Sequence, residues 1–249
     1  MAEIGRAVDQ HLHFEPSTSE RTFNMRISDY FTACLIPRVC VRVRAEAPHI
    51  TIVVQYLGEE PERLEPGEIQ LICMHERRPG YKQHCLMQTP YAVAMRKGHS
   101  AAAEPMTIDR LLSLPYVRVA NASIGLGHFD AALLREGKSR WIAATVPALS
   151  AVFPIIAHSD LCAILPERWV ELYTQPGKLT TLPIPLADLQ FTENMVWKTE
   201  DGSDPGHRWL RSLIKEEFGF LYSPDARLAK PFEVGPDLLD RIPVKVSRE

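Results

Sequence analysis

The stretch ITIVVQYL (50–57) follows a run of helically spaced apolar residues, Leu35, Ile36, Val39 and Val43, with Pro48 between the two. A helix period thus gives way to a strand period within one short stretch. That alternation constrains the chain more than any other feature, because each helix must cross a sheet face and hand the chain back to a strand, which is the logic of an α/β fold. The pattern recurs. FNMRI (23–27) alternates as a strand, and Ser28 and Asp29 can cap the helix after it through their side-chain oxygens. ITIVVQYL reads as a buried, β-branched strand. EIQLICM (68–74), YAVAM (91–95), YVRVA (116–120), RWIAATV (140–146) and LCAIL (161–165) read as further strands, and LPIPL (182–186) and FTENMVWK (191–198) as extended. Helices are expected after Thr107 as a cap, over 128–135, over 167–173, and from Asp204-Pro205, where an acidic cap precedes a proline at the first helical position. Another is expected from Pro147, carrying Leu149, Val152, Phe153 and Ile156, with Pro154 kinking or shortening it.

A chain of 249 residues is long enough for one large domain or two compact lobes. The apolar runs are broken by Pro, His or charge before they reach bilayer length. The first residues carry acid early and no continuous apolar stretch, unlike a signal peptide, so a cytoplasmic protein is expected. Cys34, Cys40, Cys73, Cys85 and Cys162 are scattered, odd in number and form no CxxC pair, as thiols of a reducing compartment do. The formal net charge is −3 and the basic residues are dispersed, so no basic stripe is available to grip phosphates. Ile4, Val8 and Leu12 stand one turn apart in a short amphipathic segment, and the tail after Tyr222 is Pro-rich and charged, a wrapped extension or a partly disordered end.

Signs of chemistry are sparse. The nine histidines include no HExxH or Cys/His ligand set, so no metal is expected; there is no GxSxG elbow and no Walker loop. Gly125 and Gly127 form only a lone GxG, which fits a loop at a cleft edge better than a phosphate cradle. Glu59-Glu60 and Glu216-Glu217 read as solvated charge, and Trp141, Trp169, Trp197 and Trp209 as core residues. No nucleophile, base or cofactor set emerges, so neither an enzyme nor a cofactor is expected. What remains is geometric. Helix starts present free amides and a positive dipole end, and ligands of open α/β sheets sit at the carboxyl ends of strands. The turns in question are Ser28-Asp29-Tyr30-Phe31-Thr32, 121–129, and Val146-Pro147-Ala148-Leu149.

The order of these blocks resembles a known family. FEPSTSERTFNMRISDYFTACLIPRVCVRVRAEAPHI, with its strand, Ser-Asp-aromatic motif, Leu-x-Pro and Ala-Pro, is similar to the start of the effector-binding domain of LysR-type transcription regulators. LEPGEIQLIC, YAVAMRKGHS, MTIDRLLSLPYVRVA, SDLCAILPERWV and LPIPLADLQFTENMVWKTEDGSDPGHRWLRSLI match later blocks, the last in the manner of the nodulation-regulator and aromatic-catabolism branch. Gln70 stands where the family has an acid, and Ser100 where it has the proline of Gly-His-Pro. The resemblance covers about 14–215 and implies two Rossmann-like lobes joined by two crossing strands, a periplasmic-binding-protein-like (type 2) α/β fold.

The lobes implied are 21–95 plus 193–222 and 96–192, with crossings near Met95 and Thr192, a linker-helix remnant at 1–20 and a C-terminal extension at 223–249. A small aromatic effector would enter between them. Ser28, Tyr30, Phe31 and Thr32 would line one wall and Asn121, Ser123, Val146, Pro147 and Phe153 the other, with Met74, His75 and His128 beside them; for each, a cap or core role is the alternative. The resemblance further implies a homodimer or homotetramer, with DNA contacted only through a helix-turn-helix not present in this chain. Competing readings are a transporter's solute-binding protein, an enzyme on the same fold, and a purely structural dimerisation module.

Overall fold

The computed structural model describes residues 14–57, 63–73, 78–119, 128–173, 177–186 and 189–222. In chain order the elements are β1 (Thr22–Ile27), α1 (Asp29–Cys34), α2 (Ile36–Glu46), β2 (Thr51–Tyr56), β3 (Glu68–Cys73), β4 (Tyr81–Arg96), α3 (Ile108–Ser113), β5 (Pro115–Val119), α4 (His128–Arg135), β6 (Trp141–Val146), α5 (Val152–Ala157), β7 (Ala163–Pro166), α6 (Glu167–Tyr173), β8 (Leu179–Pro183), β9 (Gln190–Lys198) and α7 (Pro205–Leu221). The chain divides into two compact units. Among the described residues the first takes 14–56, 63–73, 78–86 and 194–222, and the second 57, 87–119, 128–173, 177–186 and 189–193. Two of the divisions fall inside β4 and β9, so these two strands run from one unit into the other, and a further one falls directly after β2.

In the first unit β1 pairs in parallel with β2, from Thr22 opposite Thr51 to Ile27 opposite Tyr56, and with β3, where Asn24 faces Glu68. β9 lies beyond β3. Parallel neighbours need a crossover, and α1 and α2 supply it between β1 and β2. β1 buries alternate residues, Phe23, Met25 and Ile27; Val39 and Val43 of α2 and Leu210, Leu213, Ile214 and Phe218 of α7 are buried as well, and Phe23 meets Trp209 of α7 at 6.3 Å. β3 buries its first four residues in succession, as an inner strand covered on both faces does. The stretch ITIVVQYL is not the buried strand its composition predicts. β2 ends the strand order, and Thr51, Gln55 and Tyr56 are exposed; β-branched residues suit any half-covered pleated surface and do not by themselves mark a strand as inner.

In the second unit β4 is flanked by antiparallel β7 and β8, with Val93 opposite Ile164 and Leu182. β5 and β6 run parallel, with a register shift between Tyr116 and Val117, and Cys162 bridges Tyr116 on the other edge of β5. Tyr116 is fully buried and its hydroxyl donates to the carbonyl of Leu111 at 2.9 Å. β4 begins ten residues before YAVAM: its first part, YKQHCLMQTP, lacks an apolar run and is extended by pairing alone. Pro154 occupies the first turn of α5, where a missing N–H costs no intrahelical bond, and the helix ends after six residues.

Two surface expectations also change. Trp141 is 61% exposed at the start of β6, because the strand's alternation puts it on the exposed face with Ala143 and Thr145. Glu217 is buried, and Arg38 (2.8 Å) and Arg42 (3.3 Å) of α2 bond its carboxylate; only Glu216 stays in solvent, paired with Arg42 at 2.7 Å. None of the five cysteines is in a disulfide.

Candidate functional site

The turn from β1 into α1 sits at the carboxyl end of a parallel strand. Ser28 is the N-cap residue of α1, but its side chain makes no capping bond. Its Oγ is buried and has no hydrogen-bond partner. A buried hydroxyl left unbonded costs about 1–3 kcal/mol, so this position favours an acceptor, whether a water or a ligand atom. Around it the turn is fixed: the Ser28 carbonyl accepts from the Thr32 amide at 3.0 Å and from Thr32 Oγ1 at 2.9 Å. Thr32 is exposed, with its hydroxyl committed to the backbone. Tyr30 and Phe31 are core residues. They are 1% and 0% exposed, stack edge-to-face at 5.0 Å, and Phe31 packs on Phe218 of α7 at 5.4 Å.

In the second unit Val146 ends β6 half-buried, Pro147 is exposed, and Phe153 on α5 is buried. The helix start anticipated at Pro147 comes later, as a 3₁₀ turn at Leu149–Ala151 that leads into α5. His128 opens α4. Met74, His75, Asn121, Ser123 and the Gly125–Gly127 loop lie outside the described residues. The structure adds Arg118, which was not singled out in the sequence. It is the fourth residue of β5, near the carboxyl end of that parallel strand, and its Nε is buried without a partner. The signal was present as a lone arginine inside the apolar run YVRVA. A guanidinium N–H held there is suited to a carboxylate, which it can bond with charge assistance.

At the start of α7 a second polar cluster is structural. Asp204 accepts from the His207 amide at 2.8 Å and from Arg21 Nη1 at 2.7 Å. Burial pushes its carboxyl up, but those two hydrogen bonds and the Arg21 charge outweigh it and hold the pKa at about 2. His207 is fully buried; its Nδ1 accepts from Arg211, so the proton sits on Nε2, 3.5 Å from the Glu68 carbonyl. Burial and then the Arg211 charge lower the His207 pKa below 6.5. A lowered pKa means the folded state favours the neutral ring. Stability is therefore complete above the unfolded value near 6.5 and is lost as pH falls below it, before Asp204 titrates. The urea midpoint is expected to drop between pH 7.5 and 5.5, and His207→Gln is expected to flatten that drop; an equal slope in the variant would exclude His207 as its source.

Among the described residues no group of three His, Cys, Asp or Glu could hold a metal ion, and no helix is long and apolar enough to cross a membrane.

Two α/β units, joined through two strands and with parallel-strand ends carrying unbonded donors, define a periplasmic-binding-protein-like (type 2) ligand-binding domain. The family model for the LysR substrate binding domain matches residues 17–219, and the chain belongs to that family. It is 31% identical over 222 residues to the HTH-type transcriptional activator NahR of Pseudomonas putida, covering 88% of this chain and 74% of NahR. Among solved structures it resembles the regulatory domain of MexT, a transcriptional activator in Pseudomonas aeruginosa (TM-score 0.63, 24% identity, 80% of this chain and 99% of that one). It also resembles the BenM effector binding domain with its effector benzoate (TM-score 0.59, 14% identity, 84% and 98%).

Proposed function

We propose that this chain senses a small aromatic acid, without chemistry, as the effector-binding part of a LysR-type regulator acting as an oligomer in the cytoplasm. The observation that carries the ligand reading is the Ser28 hydroxyl, buried and unbonded at the carboxyl end of β1. Arg118, at the corresponding end of β5, supports an anionic ligand. The likeness to the transcriptional activator NahR favours a regulator over a transporter's binding protein, and the benzoate of the BenM domain favours an aromatic effector. Bound ligand biases a conformational equilibrium only by its difference in affinity for the states.

The test is thermal unfolding against small aromatic acids, phenols and flavonoids. A ligand for the native state raises the melting temperature with dose, by the equivalent of about 2.7 kcal/mol at a hundredfold excess over Kd. Ser28→Ala is expected to leave the unliganded melting temperature unchanged or slightly higher, since it deletes an unpaired hydroxyl, and to weaken binding roughly tenfold through one lost hydrogen bond. A well-folded protein that shows no shift with any aromatic acid would overturn the reading in favour of a non-aromatic effector or a structural module.

A further inference from the structure

Ligand binding leaves one cluster of the first unit without a role. Three rings from three segments meet there: Phe14, just ahead of the 3₁₀ turn at Pro16–Thr18, Phe23 on β1, and Trp209 on α7. Phe14 lies 5.3 Å from Trp209 and, edge-on, 6.2 Å from Phe23. Beneath it is Gly206, the second residue of α7. A Cβ there would stand 2.8 Å from Cδ2 and 3.1 Å from Cε2 of Phe14, and 2.9 Å from Nη1 of Arg21. The Arg21 contact is the end of a flexible side chain and can move; the ring is held by two others and cannot move without leaving its place.

Glycine is a poor helix former, and Gly206 has no positive φ that would require it. What the missing side chain provides is space for the Phe14 ring. The neighbours brace the same spot. Arg21 lies 4.8 Å over the Phe23 ring and pairs with Asp204, the cap of α7. Glu15 accepts from Ser17 Oγ at 2.9 Å and closes the turn directly after Phe14.

We infer that Gly206 and Trp209 form a seat for this chain's own Phe14, and that the seat fixes the 14–21 segment to the first unit. The seat exists independently of the ligand reading; its value to a sensor, a firm joint between the 14–21 segment and the unit that carries Ser28, rests on that reading.

The experiment is a double-mutant cycle on the full chain with two readouts, melting temperature and hydrogen exchange of the 14–21 segment. Gly206→Ala alone is expected to lower the melting temperature and to speed exchange over 14–21 by roughly tenfold or more, while amides of β2 and α2 keep their rates. Phe14→Ala is expected to do the same. In the Phe14→Ala background, Gly206→Ala is expected to reverse sign and raise the melting temperature, because the ring is gone and alanine is the better helix former. An alanine at 206 that is equally harmful with and without Phe14 overturns the proposal, as does unchanged exchange over 14–21. The cycle needs no ligand, so failure of the aromatic-acid screen leaves its outcome unaffected.

Discussion

Asp130→Ala is expected to destabilise the second unit by about 3–5 kcal/mol, the cost of leaving a buried charge without its partner. Arg140 bonds Asp130 in a fork, Nε at 2.6 Å and Nη2 at 2.9 Å, with the two side chains 7% and 17% exposed. Its guanidinium also lies 4.7 Å from the Tyr116 ring and 5.7 Å from that of Phe129, so it is walled by aromatics where water does not reach it. Removing the carboxylate strands the cation in that place. Removing both, in Asp130→Ala with Arg140→Met, is expected to recover much of the loss, because an apolar side chain has no charge to desolvate. The Arg168–Glu171 pair, with side chains 43% and 47% exposed, is the control: Glu171→Ala is expected to cost less than about 1 kcal/mol. Urea unfolding of the three variants checks this, and a loss for Asp130→Ala no larger than the control's would mean that the pair is solvated.

Phe31→Ala is expected to cost about 3–5 kcal/mol, as large-to-small changes in a packed aromatic core do. Phe31 is fully buried between Tyr30 and Phe218. Against a typical total of about 5–15 kcal/mol for a domain, such a loss endangers folding at physiological temperature. The contrast with Ser28→Ala, three residues earlier in the same turn, is the informative part. If Phe31 is core and Ser28 meets ligand, the first variant loses stability and the second loses affinity. A Phe31→Leu protein with near-native melting temperature but no ligand response would reverse the assignment and place the ring at the ligand.

Local features were legible in the sequence because they depend on local physics. The FNMRI alternation produced β1 with its buried face, Thr107 caps α3 through the Arg110 amide, and Asp204-Pro205 starts α7 with the cap the sequence suggests. The order of strands and helices, and with it the α/β class, follows from such signals taken in sequence, while the family was legible only as a resemblance of whole sequence blocks. Ser28 was found as a cap candidate for a reason the structure alters: it occupies the cap position and leaves its hydroxyl unbonded.

Other features depended on partners far away in the chain, and no local period reports those. ITIVVQYL is apolar enough for an inner strand, yet among the described residues β2 is an edge, the end of the strand order beyond β1. YKQHCLMQTP has no strand signal, yet it becomes strand through its neighbours. Glu217 looked like surface charge until α2 brought Arg38 and Arg42 across to it. Trp141 had the composition of a core residue and the strand phase of an exposed one. By itself the sequence determined which segments could be helix or strand and in what order, since caps, prolines and periodicity act over a few residues. Only the tertiary structure decided which strand is an edge, which carboxylate is buried, why position 206 must be glycine and which hydroxyl is left without an acceptor, because burial and pairing are properties of segments that meet in space.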